Sequence, residues 1–160
     1  MTSTLTNFIP SVLDLADTAL HPLDNIHDLR SAFPVMQQLH PHLTSEADFT
    51  SRIERMRVEG YRLIGAYESS VLVALAGYRL QESLVYGAFL YVDDLVTAEG
   101  HRGGQWGARL LQALERLARA SGCARLVLDT GLANARAQRF YFREGLLTGA
   151  MRFQKQFDTQ

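Results

Sequence analysis

The chain has 160 residues, 47% of them hydrophobic, enough for one globular domain with its own core and too short to suggest two. A formal net charge of −1, with Arg scattered over several elements, marks no face for nucleic acid and no electrostatic membrane anchor. No apolar run approaches the roughly 20 residues of a bilayer span, and the amino terminus lacks the basic and apolar regions of a signal peptide. Cys123 is the sole cysteine, which excludes an intrachain disulfide, so a cytoplasmic protein is expected.

Residues 1–17, rich in Thr and Ser near the start and without a clear period, read as an extension ahead of a single domain at 18–160. A short first strand is expected at 18–23. Asp24 or Asn25 can cap a helix running to about Leu39, which Pro34 should kink or restart. After a loop at 40–44, Ser45 with Asp48 three residues on caps a second helix, 46–59. Gly60 ends it. Strands at 61–67 and 71–80 flank a Glu68-Ser69-Ser70 turn and predict a tight hairpin. The segment 84–97 is apolar at positions of both parities and is expected as a central strand buried on two faces.

Over 105–121 the apolar residues Trp106, Leu110, Leu111, Leu114, Leu117 and Ala118 recur every three or four positions, the pattern of an amphipathic helix, and Gly122 stops it. A strand at 125–129, a helix at 133–143 closed by Gly145, and strand-like segments within 146–157 complete the order β-α-α-β-β-β-α-β-α-β-β. The order indicates an α/β (α+β) fold class, a mixed sheet with helices on both faces. Cys123, just ahead of the strand at 125–129, is expected as a packed small residue rather than a nucleophile. Among the five histidines only His40 and His42 are close in sequence. With Pro41 between them they read as loop residues rather than a metal pair, and no metal is expected.

The segment with the most chemistry runs from Tyr91 to Leu117, where an apolar strand passes through a glycine-rich loop into the long helix. The first N–H groups of a helix lack carbonyl partners and carry the positive end of the dipole, so phosphate is a favoured ligand there. Gly103, Gly104 and Gly107 allow close approach of the main chain, and Arg102 adds a permanent cation. Neither well-known nucleotide loop fits. There is no Gly-Lys-Ser/Thr ending, the glycines do not spell G-x-G-x-x-G, and the loop lies past the middle of the chain rather than after a first strand. A different phosphate-bearing cofactor is implied.

Two signatures in order resemble the GNAT N-acetyltransferase superfamily, from about Thr18 to the C-terminus. Leu95-Val96-Thr97 followed by Arg102-Gly103-Gly104-Gln105-Trp106-Gly107 resembles its acetyl-CoA signature. Asn134, Ala137, Phe140, Tyr141 and Gly145 resemble its second, Asn-x-x-Ala-x-x-Phe-Tyr with a closing Gly. Gln105 departs from the pattern, standing where the family usually has Gly. An ordinary helical or extended backbone there, or a slightly altered loop path, is expected.

The resemblance implies a mixed, mostly antiparallel central sheet flanked by helices, and an acetyl-CoA-dependent acyltransferase that moves the acetyl group directly to a primary amine of a small molecule or peptide. Acetyl-CoA would lie where the central strand and the strand at 125–129 splay apart, with the backbone of Leu95, Val96 and Thr97 on the pantetheine arm. Arg102, Gly103, Gly104, Gln105, Trp106, Gly107 and Ala108 would surround the pyrophosphate, although Trp106, which opens the apolar stripe, reads as the core anchor of the helix. Asn134 is either an amide ligand to the cofactor arm or a helix cap, and both roles are compatible. Tyr141 takes the general-acid position beside the departing thiolate, or is a core aromatic. Asp93 is the favoured general base, acting through water, and Asp94 is its reserve; adjacent strand residues point to opposite faces, so only one of them is expected in the cleft.

A noncatalytic acyl-CoA-binding domain of the same fold is the alternative, and a larger acyl group is a third reading. The acceptor would be shaped by the first two helices and their loop, 34–48, and by the C-terminal strands, none of which carries a specificity code. Many relatives are dimers, so the resemblance admits a homodimer, with no interface marked.

Overall fold

In the computed structural model, residues 17–158 are described; the expected extension lies outside them except for Asp17. The elements are β1 (Leu20–Pro22), α1 (Ile26–Leu39), α2 (Glu46–Val58), β2 (Arg62–Glu68), β3 (Val71–Ser83), β4 (Gly87–Thr97), a 3-10 turn (Glu99–His101), α3 (Trp106–Ala120), β5 (Arg125–Leu128) and α4 (Ala135–Arg143). One sheet holds the strands in the order β1-β2-β3-β4-β5. Its pairs are antiparallel except β4 with β5, which is parallel. The mixed, mostly antiparallel sheet flanked by helices is the expected fold class.

The chain falls into two compact units, one ending at Leu128 and the other beginning at Asp129. The first contains the whole sheet. On one face Val73, Leu90 and Val92 pack with Trp106, Leu110, Leu114 and Leu117, the apolar stripe of α3. On the other, Leu29, Val35 and Met36 of α1 and Phe49 and Ile53 of α2 cover Tyr61, Leu63, Leu75 and Val96. β4 contributes to both faces and has a strand on each side, as its two-sided apolar pattern requires. Leu110 and Leu114 are 0% exposed, and burying each contributes about 1.5–3 kcal/mol.

Local chemistry sets the element ends. Asn25 closes a capping box: its side-chain oxygen accepts from the Asp28 N–H at 3.0 Å, and the Asp28 carboxylate accepts from the Asn25 N–H at 3.1 Å. Pro34 does not restart α1. The ring removes one backbone donor, but the stripe Leu29, Ala32, Val35 and Met36 stays buried along the helix and holds it continuous. Ser45 caps α2 as expected. The β2–β3 turn sets Ser69 and Ser70 at φ 47° and 66°, the left-handed pair that suits the twist of a hairpin.

Two expectations are corrected. Leu84 does not begin β4: Leu84 and Val85 lie exposed at a hairpin tip, β3 runs on to Ser83, and Gly87, at φ 63°, opens the next strand. Residues 146–158 contain no strand, and Leu147, Met151, Phe153 and Phe157 are exposed. Alternating apolar residues supply a face, whereas a strand also needs a backbone ladder, and none forms here among the described residues. The second unit therefore consists of α4 and extended or irregular chain.

Among the described residues no helix is long and apolar enough to cross a membrane, and no three His, Cys, Asp or Glu side chains gather as a metal site. Cys123 is partly buried against the α3 face, and that burial pushes its thiol up.

Candidate active site

β4 carries an irregularity where the chemistry is expected. Gly77 is in register with Asp94 and Tyr78 with Val92, so Asp93 is the extra residue of a β-bulge. Simple alternation would send Asp93 and Asp94 to opposite faces; the bulge puts both on the side of Tyr61. Arg79 Nε lies 3.3 Å from Asp93 Oδ1, and the same guanidinium sits 5.6 Å from the centroid of the Tyr61 ring. Tyr61 donates its hydroxyl to Asp94 Oδ2 at 2.6 Å. The expectation that only one of the two carboxylates shares a face with the site is thus overturned, because an extra residue in one strand resets the alternation.

Asp94 is the centre of a three-residue chain. Its other oxygen, Oδ1, lies 2.6 Å from His40 Nε2, so the residue just past the end of α1 reaches the middle of the sheet. The hydrogen bond to Asp94 holds the His40 imidazole above its ordinary pKa of 6.5, against a smaller opposing effect of burial. Burial, then the charge and hydrogen bond of Asp94, drive the Tyr61 hydroxyl well above 10.0. Tyr61 therefore stays protonated and serves as a donor. The chain is possible because Gly77 has no side chain: a Cβ there would lie 2.1 Å from the Tyr61 oxygen and 2.7 Å from Asp94 Oδ2.

Beyond the bulge, β4 outruns its neighbour. The parallel ladder with β5 ends at Val92 and Leu128, one residue short of the expected strand end, while β4 continues to Thr97. The Ala98 N–H donates to Val73 of β3. By alternation the Leu95 and Thr97 amides point the other way, to the side that β5 has left. The 3-10 turn and Arg102 to Gln105 then lead into α3, whose first turn has no capping side chain and no acidic residue. Gly103, at φ 89°, has open space where a Cβ would be. Gly104 lies under the Trp106 indole, 2.9 Å from its Nε1 at the Cβ position, and Trp106 is the buried core anchor that its place in the apolar stripe predicts.

Gln105 has φ 60° and ψ 11°, the left-handed conformation. Neither an ordinary helical nor an extended backbone occurs there. The loop keeps a shape that suits glycine and imposes it on a glutamine, at a strain of about 1–2 kcal/mol. One turn on, Arg109 stacks over the Trp106 ring at 4.3 Å and grips Asp17 with two hydrogen bonds of 2.6 Å.

Asn134 and Tyr141 belong to the second unit. Asn134 caps α4, its side-chain oxygen accepting from the Ala137 N–H at 3.1 Å. Tyr141 is partly buried, and burial pushes its hydroxyl above 10.0. The site residues thus come together in three groups: the bulge carboxylates, the run from Leu95 to Ala108, and the α4 pair.

The chain matches the Acetyltransferase (GNAT) family over residues 23–145. It belongs to that family. An uncharacterized N-acetyltransferase, YhdJ, of Bacillus subtilis (strain 168) is 32% identical over 111 residues, spanning 69% of this chain and 78% of that protein. An aminoglycoside N(6')-acetyltransferase type 1 of Serratia marcescens is 33% identical over 73 residues, 43% of this chain and 50% of that protein. The solved aminoglycoside N-acetyltransferase AAC(6')-Iy in complex with CoA superposes at a TM-score of 0.75 and 16% identity, covering 86% of this chain and 93% of that one, a likeness of fold. This GNAT protein is an acyltransferase.

His40, Tyr61 and Arg79 were not among the expected site residues of this GNAT chain. His40 reads as a loop residue and Tyr61 as the first residue of a strand, since neither belongs to a motif. The available signal is Gly77, a lone glycine inside the strand pattern VLVALAGYRL, which marks a bulge or a close approach.

Proposed function

We propose that this protein transfers the acetyl group of acetyl-CoA directly to a primary amine of a small molecule or peptide. The observation that carries the reading is that β4 outruns β5. The amides of Leu95 and Thr97 face away from β3 with no β5 partner, just ahead of the uncapped start of α3. Main-chain groups of Leu95, Val96 and Thr97 hold the pantetheine arm, and the Leu95 N–H donates to the oxyanion of the tetrahedral intermediate. The residues from Arg102 through Gly103, Gly104, Gln105, Trp106 and Gly107 to Ala108 surround the pyrophosphate, whose charge offsets the positive end of the helix dipole.

The acceptor amine has a pKa of about 10 and must lose a proton to attack. That task falls to the bulge, where Asp93 is joined to Arg79 and Asp94 to His40 and Tyr61. Tyr141, kept protonated by burial, protonates the leaving thiolate, and Asn134 holds the cofactor arm in addition to capping α4. Family membership and the N-acetyltransferase relatives support the acetyl donor and the amine acceptor. The family match crosses the boundary between the two units, which supports reading 18–160 as one acetyltransferase domain. A cytoplasmic location follows from the same reading, supported by the lone cysteine.

The test is thiol release from acetyl-CoA in the presence of grouped amines: polyamines, aminoglycosides, amino acids and peptide N-termini. Release that depends on the amine is expected. Tight acetyl-CoA binding without release across the whole panel would instead make the protein a noncatalytic acyl-CoA-binding domain.

A further inference from the structure

Three features of the bulge point to its proton-accepting atom. Both oxygens of Asp94 are committed, Oδ1 to His40 and Oδ2 to Tyr61, each at 2.6 Å, and the side chain is 11% exposed. Asp93 is committed to Arg79. His40 is 36% exposed, only Nε2 of its ring is engaged in a hydrogen bond among the described residues, and it stands in the loop between α1 and α2 that is expected to line the acceptor pocket.

We infer that His40 Nδ1 takes the proton from the acceptor amine, with Asp94 fixing the ring through Nε2 and Tyr61 fixing Asp94. The inference rests on the acetyl-transfer reading above. His40 Nδ1 takes one proton from the ammonium form of the acceptor; the neutral nitrogen then bonds to the acetyl carbonyl carbon, the carbon–sulfur bond breaks, and nitrogen gives up a second proton as the thiolate takes one up. One proton per turnover thus leaves through His40 to solvent. The Nε2–H hydrogen bond selects the tautomer whose Nδ1 lone pair is open, and the Asp94 charge stabilises the imidazolium that forms. The hydrogen bond to Asp94 holds the imidazole above its ordinary pKa of 6.5, which makes it a stronger proton acceptor than a carboxylate. The other ionisable groups around the pair are His42, whose ring centroid is 5.7 Å from that of His40, and Asp93 and Arg79 beyond Tyr61. Asp94 is a positioning residue in this scheme.

His40→Gln should lower kcat by about 100-fold, the usual contribution of a general base, while acetyl-CoA affinity stays within about twofold of wild type. The acidic limb of the kcat profile should disappear with it. His40→Ala should be similarly impaired and should regain at least about tenfold on addition of imidazole, a recovery that a merely structural histidine would not give. Turnover by wild type combined with a His40→Gln profile that keeps its acidic limb overturns the role of His40 and leaves acetyl transfer standing; so does a His40→Ala loss that imidazole does not restore. No thiol release by wild type with any amine overturns the acetyl-transfer reading, and this inference with it.

Discussion

Gly77 and Asp94 face each other across the β3–β4 ladder, and the missing side chain of the glycine is the space through which the Tyr61 hydroxyl reaches the Asp94 carboxylate. A strand glycine thus has a chemical consequence. It admits a buried donor to a carboxylate that in turn holds a histidine from another layer of the protein.

Gly77→Ala should destabilise the fold by about 1–3 kcal/mol, because the new Cβ meets the Tyr61 oxygen at 2.1 Å and Tyr61, 1% exposed, has nowhere to go. Urea unfolding midpoints measure this. A midpoint equal to that of wild type would mean that the ring can move aside.

The His40–Asp94 contact makes stability depend on pH in a defined direction. The folded-state pKa of His40 lies above the unfolded 6.5, so the folded protein binds the proton more tightly. The stabilisation is complete below pH 6.5 and is lost as pH rises through the folded-state value. Thermal unfolding from pH 6 to pH 8.5 should therefore show a decline in wild type that His40→Gln lacks. Parallel curves for the two proteins would contradict the assignment.

Gln105→Gly should raise stability by about 0.5–1 kcal/mol. Relief of the left-handed strain outweighs the added freedom of the unfolded chain. Gln105→Val should lower stability, since a β-branched residue tolerates φ 60° poorly. Differential scanning calorimetry of the pair checks the sign, and two equal shifts would argue that the loop relaxes.

Tyr141→Phe should lower kcat by about 10²–10⁴-fold and leave acetyl-CoA affinity nearly intact, because the substitution removes only the donated proton. Steady-state kinetics with calorimetric binding separate the two quantities. An unchanged kcat would return Tyr141 to the role of a packed aromatic.

Arg102→Ala should weaken acetyl-CoA by about three- to tenfold and leave an analogue without the pyrophosphate almost unaffected, as an exposed cation near a phosphate acts through charge alone. Equal losses for the two ligands would make Arg102 a structural residue of the loop.

Much of this protein follows from local pattern. The spacing of Trp106, Leu110, Leu114 and Leu117 specifies α3, Asn25 and Ser45 start two helices, and the glycine-rich loop opens α3 without a cap, because each effect acts within a few residues of its cause. The strand boundaries at Leu84 and after Leu146 were less legible. An apolar pattern states which residues can face a core, whereas a strand ends where its neighbour's ladder ends.

The amino-acid sequence by itself determined the elements as far as α4, their order, the glycine-rich entry to α3 and the resemblance to acetyltransferases. Only the tertiary structure decided that Asp93 and Asp94 share one face, that His40 and Tyr61 meet at Asp94, and that Gln105 keeps a glycine's conformation. The physical reason is range. A bulge is defined by two strands rather than one, and a hydrogen bond between residues 54 positions apart leaves no trace in the neighbours of either.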